Sequence, residues 1–217
     1  MSARPLNPKP FTLYGRPGSG SAAVEALLAL AGLPRIVVDV ANSADDPNHA
    51  ALLALNPLGQ VPVLVLPNGV TMTESSAILM YLAEQAAPGL LAPPPGHANR
   101  PAYLRWMAYL SANLYMTELH IYYADRYSAD PAGGPAVRQA AIARRAREWA
   151  VFAAAIGDGP FLFGKDPCAV DIYAAMITSW GDNAAELAET HPKLGVLSNS
   201  VATIESITPI WQRHGLC

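Results

Sequence analysis

The 217-residue chain has only two cysteines, Cys168 and Cys217. Two widely separated thiols cannot build a disulfide framework, a four-thiolate zinc site or a C-x-x-C redox pair. No metal is therefore expected, and the chain reads as cytoplasmic with incidental thiols. Charge is scarce as well: 14% of residues are charged, 14 basic against 17 acidic, for a net charge of −3. A nucleic-acid binder normally carries a basic excess, so no nucleic-acid partner is expected. The chain also lacks an apolar run of about 18 residues, so no membrane-spanning helix and no membrane partner are expected. The first nine residues are polar and proline-rich with no apolar signal-peptide core, which reads as a flexible extension over 1–9.

Apolar residues, by contrast, are plentiful. The hydrophobic share of 52% excludes a disordered chain and supplies a core without staples. Short apolar runs at 11–14 and 36–40 read as strands, and the Ala/Leu-rich segment 22–31 between them reads as a helix stopped by Gly32. A short helix over 48–55 follows. Runs at 61–66 and 70–72 flank Pro67-Asn68-Gly69, a hairpin signal, before a helix over 74–87. The order β-α-β-α-β-β-α makes the first two strands parallel and the last two antiparallel. Residues 10–87 thus form a small α/β domain. A proline-rich linker spans 88–97, and 98–217 reads as all-helical, with segments at 98–127, 135–156, 170–180 and 194–207.

Three local patterns carry chemistry. In Asn56-Pro57-Leu58-Gly59-Gln60-Val61-Pro62, the proline opens a strand it cannot continue, since it has no N–H. A cis Val61–Pro62 bond would leave the Val61 backbone unpaired at a surface, open to an extended peptide. A trans bond is the commoner state. Thr73-Glu74-Ser75-Ser76 opens a helix, where free N–H groups and a hydroxyl suit a carboxylate and Glu74 suits an ammonium group. Capping by Thr73 is the simpler reading of that pattern. Gly15-Arg16-Pro17-Gly18-Ser19-Gly20-Ser21 places two serines at the start of the first helix, where an anion is favoured and capping is equally natural.

In this order and spacing, these motifs resemble the cytosolic glutathione transferases, from about Phe11 to His214. The resemblance implies an α/β thioredoxin-like N-terminal domain with a cis Pro62, followed by an all-α C-terminal domain. It implies glutathione as co-substrate, with Val61 pairing with its cysteinyl backbone and Glu74 and Ser75 holding its γ-glutamyl end. Gln60 reaches the same region. Pro17-Gly18-Ser19 looks like the serine-type classes, so Ser19 is the expected contact to the sulfur, with Ser21 second and Tyr14 behind them. The stretch 16–21 has no cysteine, which disfavours the disulfide-exchanging classes. Ser76 and Gly59 depart from the pattern, because some classes carry basic side chains there. Cys168 replaces the hydroxyl residue of a Ser/Thr-x-x-Asp box ending at Asp171, and Asp166 before Pro167 is an alternative cap.

The activity implied is conjugation of the glutathione thiolate to small hydrophobic electrophiles by a detoxifying, cytoplasmic homodimer. A low-turnover glutathione-binding protein and a glutathione-dependent disulfide reductase or peroxidase are the alternatives. Residues 106, 109, 113, 116, 120 and 123 recur at helical spacing. Of the side chains in this region, Tyr115, Met116 and His120 are the expected electrophile contacts. Arg144, Arg145 and Arg147 read as a solvated basic face.

Overall fold

A computed structural model describes residues 9–180 and 183–216. The extension expected over 1–9 lies outside these residues except for Lys9, as does Cys217. The chain divides into two units. The first takes the residues up to 92 together with those from 201 onward, and the second spans 93–200.

The first unit is built on four strands, β1 (Phe11–Gly15), β2 (Arg35–Asp39), β3 (Val63–Val65) and β4 (Thr71–Met72), in the order β2-β1-β3-β4. β1 runs parallel to β2 and antiparallel to β3, and β3 is antiparallel to β4. Alternation along β1 buries Phe11, Leu13 and Gly15 and leaves Thr12 and Tyr14 half-buried. The β3–β4 hairpin closes where expected. Gly69 has φ 87°, its N–H bonds the Leu66 carbonyl at 2.8 Å, and Asn68 Oδ1 accepts the Val70 N–H at 3.1 Å. β3 is shorter than the expected 61–66, because Pro62 offers no donor and the ladder starts only at Val63.

Helices α1 (Ser21–Leu30), α2 (His49–Leu55) and α3 (Ser75–Gln85) complete the α/β part. α1 is almost wholly buried, as its Ala/Val/Leu composition dictates. It ends in a Schellman arrangement: Gly32 sits at φ 62° and the Leu33 N–H bonds the Leu28 carbonyl at 2.9 Å.

The second unit is helical. α4 (Arg100–Tyr109) passes through a π-helical turn (Leu110–Tyr115) into α5 (Met116–Tyr122), and a 3-10 turn (Ala124–Tyr127) follows. The single helix expected over 98–127 is therefore interrupted twice, without a glycine or an internal proline after Pro101 to announce it. α6 (Gly134–Ala153) and α7 (Ala169–Thr178) match expectation closely. α8 (Asn183–Thr190) was not anticipated. The segment expected at 194–207 is two helices, α9 (Pro192–Ala202) and α10 (Thr208–His214), with Pro209 in the first turn of α10. Residues from 201 onward, read from sequence as part of the helical domain, cluster with the first unit. Ion pairs from Arg213 to Glu25 and Asp39 fasten them there.

α7 is buried along its whole length, so its capping decides whether it forms. The cap is Cys168, not Asp166. Asp171, fully buried, accepts the Cys168 N–H at 2.8 Å and reaches across to the Leu162 N–H at 2.7 Å. The Cys168 side chain faces the Asp171 N–H, which closes a box in which sulfur replaces the usual oxygen. Burial raises the Asp171 pKa, while the N–H donors from Leu162 and Cys168 pull it back down. Asp171→Ala would leave two buried N–H groups without acceptors. It is expected to lower unfolding free energy by about 2–4 kcal/mol, measured by urea denaturation. Cys168→Ser, which restores an oxygen acceptor, is expected to hold or raise stability.

Candidate functional site

Strand direction gathers three loops at one end of the sheet. Tyr14 pairs with Val63 in antiparallel register, so the chain leaving β1 lies beside the chain entering β3. Leu64 pairs with Met72, so the chain leaving β4 emerges at that end too. The serine turn, the Val61–Pro62 segment and the Glu74-Ser75 helix start are thereby brought to one edge.

The serine turn is held by its own hydroxyls. Gly15 precedes it because a Cβ there would lie 2.8 Å from the Ser21 Cβ and Oγ. The Ser21 side chain, 1% exposed, fills that space. Its Oγ accepts the Arg16 N–H at 3.0 Å and lies 2.9 Å from the Arg16 carbonyl oxygen. Ser19 Oγ lies 2.7 Å from the same carbonyl and 2.7 Å from Ser21 Oγ, and it accepts the Ser21 N–H at 3.3 Å. Two hydroxyl protons thus serve one carbonyl and each other. Ser21 can keep the carbonyl satisfied while the Ser19 proton turns to another acceptor. The Arg16 side chain anchors the turn from below, its Nε donating to the Val40 carbonyl at 2.9 Å. Ser19 is half-buried, whereas Tyr14 packs against the apolar cluster of Val40, Leu52 and Val63.

The Val61 segment is set by Asn56, buried at the end of α2. Asn56 Nδ2 donates to the Gln60 carbonyl at 3.0 Å, and Asn56 Oδ1 accepts the Leu58 N–H at 3.2 Å. The Gly59 N–H closes the turn on the Asn56 carbonyl at 2.9 Å. Gln60 is exposed and Pro62 buried. The Val61–Pro62 peptide is cis. Among the described residues, no hydrogen bond engages the Val61 N–H or C=O. Glu74, not Thr73, is the N-cap of α3, and it holds φ 64°, ψ 102°. It is the one non-glycine residue with positive φ among those described. Such backbone costs of order 1–3 kcal/mol and concentrates at functional sites. The Glu74 side chain is exposed, and Ser75 is the half-buried first residue of α3.

In the helical unit, the buried face of α4, the π turn and α5 carries Tyr103, Trp106, Met107, Leu110, Leu114, Thr117, Glu118 and Ile121. The stripe 109, 113, 116, 120 flanks that face and is half-buried, while Tyr123 is exposed. Tyr115 packs edge-on against Trp180 with ring centres 4.9 Å apart. His120 stacks on Tyr127, its Nδ1 meeting the Met116 carbonyl. Tyr115, Met116 and His120 thus lie within six residues spanning the π turn and α5, all half-buried.

Behind them lies a polar layer that the sequence reading missed, having taken the arginines for a solvated face. Thr117 donates to Glu148 Oε2 at 2.7 Å, and Arg144 holds Glu148 Oε1 at 2.6 Å. Arg145, only 14% exposed, lies 3.8 Å from Glu118 and 3.9 Å from Glu186. Arg147 alone of the three is exposed with no ion pair among the described residues. Neither oxygen of Glu118 has a hydrogen-bond partner among the described residues. Burial raises its pKa from 4.5 to about 7, with Arg145 opposing and Glu148 adding to the shift.

The folded state therefore binds the Glu118 proton more tightly than the unfolded chain does. That stability is fully present below pH 4.5 and is lost as pH rises to about 7. Glu118→Gln keeps the shape and removes the titration. Relative to this variant, the wild type is expected to lose up to about 3 kcal/mol of unfolding free energy between pH 4.5 and 8, measured by urea denaturation across that range.

Comparison with known proteins follows the same lines. The model of the glutathione S-transferase N-terminal domain matches residues 21–85, from the start of α1 to the end of α3. The uncharacterised GST-like protein YncG of Escherichia coli is 29% identical over 203 residues, covering 93% of this chain and 97% of its own. The bacterial glutathione transferase BphK, solved as a ternary complex, superposes with a TM-score of 0.80 at 26% identity, over 94% of this chain and 99% of its own. A Sulfitobacter homologue solved with bound glutathione has the same fold, with a TM-score of 0.83 at 24% identity over 96% and 100% of the two chains. With an α/β sheet unit whose residues 21–85 match the glutathione S-transferase N-terminal domain, a helical unit and this likeness along nearly the whole sequence, the chain is similar to the glutathione S-transferases and shares their fold.

Proposed function

We propose that the chain binds glutathione at the sheet edge and conjugates its thiolate to small hydrophobic electrophiles. The observation that carries the reading is the serine pair, in which Ser21 can satisfy the Arg16 carbonyl while Ser19 donates to a sulfur. Ser21 is too buried and too committed to take that role, and Tyr14 is turned into the apolar cluster. The unpaired Val61 backbone supports pairing with the cysteinyl peptide of glutathione. The strained Glu74, exposed beside Ser75 and the N–H groups of α3, supports recognition of its γ-glutamyl ammonium and carboxylate. Gln60 and Pro62 border the same segment. The neighbour solved with bound glutathione lends further support.

The chemistry asks little of the protein. A free thiol titrates near pH 8.5 and only its thiolate attacks well. Lowering that pKa by about 2 units takes roughly 2.7 kcal/mol of preference for the anion. One charge-assisted bond from Ser19, about 1.5–3 kcal/mol, and the α1 N-terminus, about 0.3–1 kcal/mol, supply it. The thiol proton leaves to solvent, Ser19 keeps its own, and the thiolate adds to the electrophile or displaces a leaving anion. Tyr115, Met116 and His120, half-buried around the π turn, are the proposed electrophile contacts, because π turns recur at functional sites. A detoxifying homodimer working in the cytoplasm completes the proposal on family grounds. Ser76 and Gly59, which lack basic side chains, favour a second reading: a glutathione-binding protein with little turnover.

Conjugation of a chloronitroarene by wild type and Ser19→Ala tests the proposal. The variant keeps the α1 N-terminus, so at pH 6.5 its thiolate fraction should fall about 10–30-fold, offset roughly 3–8-fold by the greater nucleophilicity of a more basic thiolate. Ionisation alone then predicts a loss of about 2–6-fold that shrinks as pH rises through 8.5. Glutathione affinity should stay nearly unchanged. A pH-independent loss, or none, contradicts the role of Ser19, and glutathione affinity without wild-type turnover selects the binding protein. Ser21→Ala is expected to cost about 1–3 kcal/mol of stability, read by thermal unfolding, because it strips Ser21 Oγ from both the N–H and the C=O of the half-buried Arg16.

A further inference from the structure

Residues from 201 onward return to the first unit, and they do so at the serine turn. α10 is anchored by the buried Ile210 and Trp211 and ends in Arg213 and His214 before the left-handed Gly215. The Gly18 N–H donates to His214 Nδ1 at 3.2 Å. Gly18 has φ 71° and immediately precedes Ser19, and a Cβ at Gly18 would sit 3.7 Å from the His214 carbonyl oxygen. Because Nδ1 accepts from Gly18, the ring proton belongs on Nε2. It points at Glu25 Oε2, 3.0 Å away. Arg213 Nη1 donates to the same oxygen at 2.7 Å, and Arg213 Nη2 reaches Asp39 at the end of β2. His214 and Glu25 are both about 5% exposed. Glu25, Arg213 and, through Arg213, Asp39 are the charged groups around the imidazole.

A buried histidine clamped between a carboxylate and the backbone of a turn does one thing well: it fixes that turn. We propose that His214 is a positioning residue for the sulfur-binding turn, holding the Gly18–Ser19 backbone so that the Ser19 hydroxyl is presented in one orientation. The carboxylate of Glu25 fixes the tautomer and the ring angle, and Arg213 fixes Glu25. This rests on the proposed role of Ser19 and extends it, because the last helix of the chain becomes part of the thiolate machinery. His214 itself never touches the sulfur. Without it, the Gly18 N–H is free to rotate away and Ser19 loses a defined direction for its proton.

Two substitutions separate the two faces of the ring. In His214→Asn, Oδ1 overlays Nδ1 and can still accept from Gly18. In His214→Gln, the side-chain amide overlays Nε2 and can still donate to Glu25, but the acceptor for Gly18 is gone. Two quantities are read on the full chain: hydrogen exchange of the Gly18 amide by NMR, and the pKa of the glutathione thiol bound to the protein, by thiolate ultraviolet absorbance. For His214→Gln we expect Gly18 exchange about tenfold faster and a bound-thiol pKa about 0.5–1 unit higher, a roughly 2–6-fold drop in thiolate at pH 6.5, with glutathione affinity little changed. His214→Asn should stay near wild type in both. If Gly18 exchange rises but the thiol pKa does not move, the histidine is merely structural and the proposal falls. It falls equally if both variants are impaired alike or if neither quantity changes. A wild type that gives no thiolate signal overturns the role of Ser19 and the positioning role with it, while the exchange measurement still reports whether the clamp exists.

Discussion

The peptide of Arg16 is the point on which the first unit turns. Its N–H and C=O sit at the end of β1, where the sheet stops and α1 has not begun, and both are satisfied by the hydroxyls of Ser19 and Ser21. A backbone group left unpaired there would cost about 1–3 kcal/mol. Using two hydroxyls rather than one leaves a spare proton. Ser21 carries the structural duty at the bottom of the turn, where Gly15 makes room for it. Ser19 above it is then available for chemistry without unmaking the turn.

The rest of the sheet edge depends on strand direction. One parallel and two antiparallel pairings bring three loops to the same end. Val61 lies outside the ladder, and Glu74 is held at a φ that its own side chain disfavours.

Much of this was legible in the sequence, because it depends on local chemistry. Gly32 stops α1, Pro67-Asn68-Gly69 turns the hairpin, and the alternation of β1 and the Ala/Leu content of α1 fix which faces are buried. Ser19 is favoured over Ser21 because Pro17-Gly18-Ser19 resembles the serine-type classes. The hydrogen bonds distinguish the two hydroxyls, Ser21 buried against both the N–H and the C=O of Arg16 and Ser19 half-buried above it, which spacing could not. What escaped notice is long-range. The pairing of His214 with Gly18 and of Arg213 with Glu25 joins residues nearly two hundred positions apart, and nothing in either segment announces the other. The π turn has no local marker, and Arg145 looks like any helix-surface arginine until Glu118 is found buried beside it. The Asp166 cap failed because Cys168, although a weak partner, lies in phase with Asp171.

A crystal structure of the chain with glutathione decides whether the β1–α1 turn presents a single hydroxyl to the sulfur, as proposed. The sulfur is expected within hydrogen-bond distance of Ser19 Oγ, with Ser21 still on the Arg16 peptide and the cysteinyl backbone paired with Val61. A sulfur resting against Tyr14 or Ser21, or a sheet edge that stays empty at saturating glutathione, would contradict it.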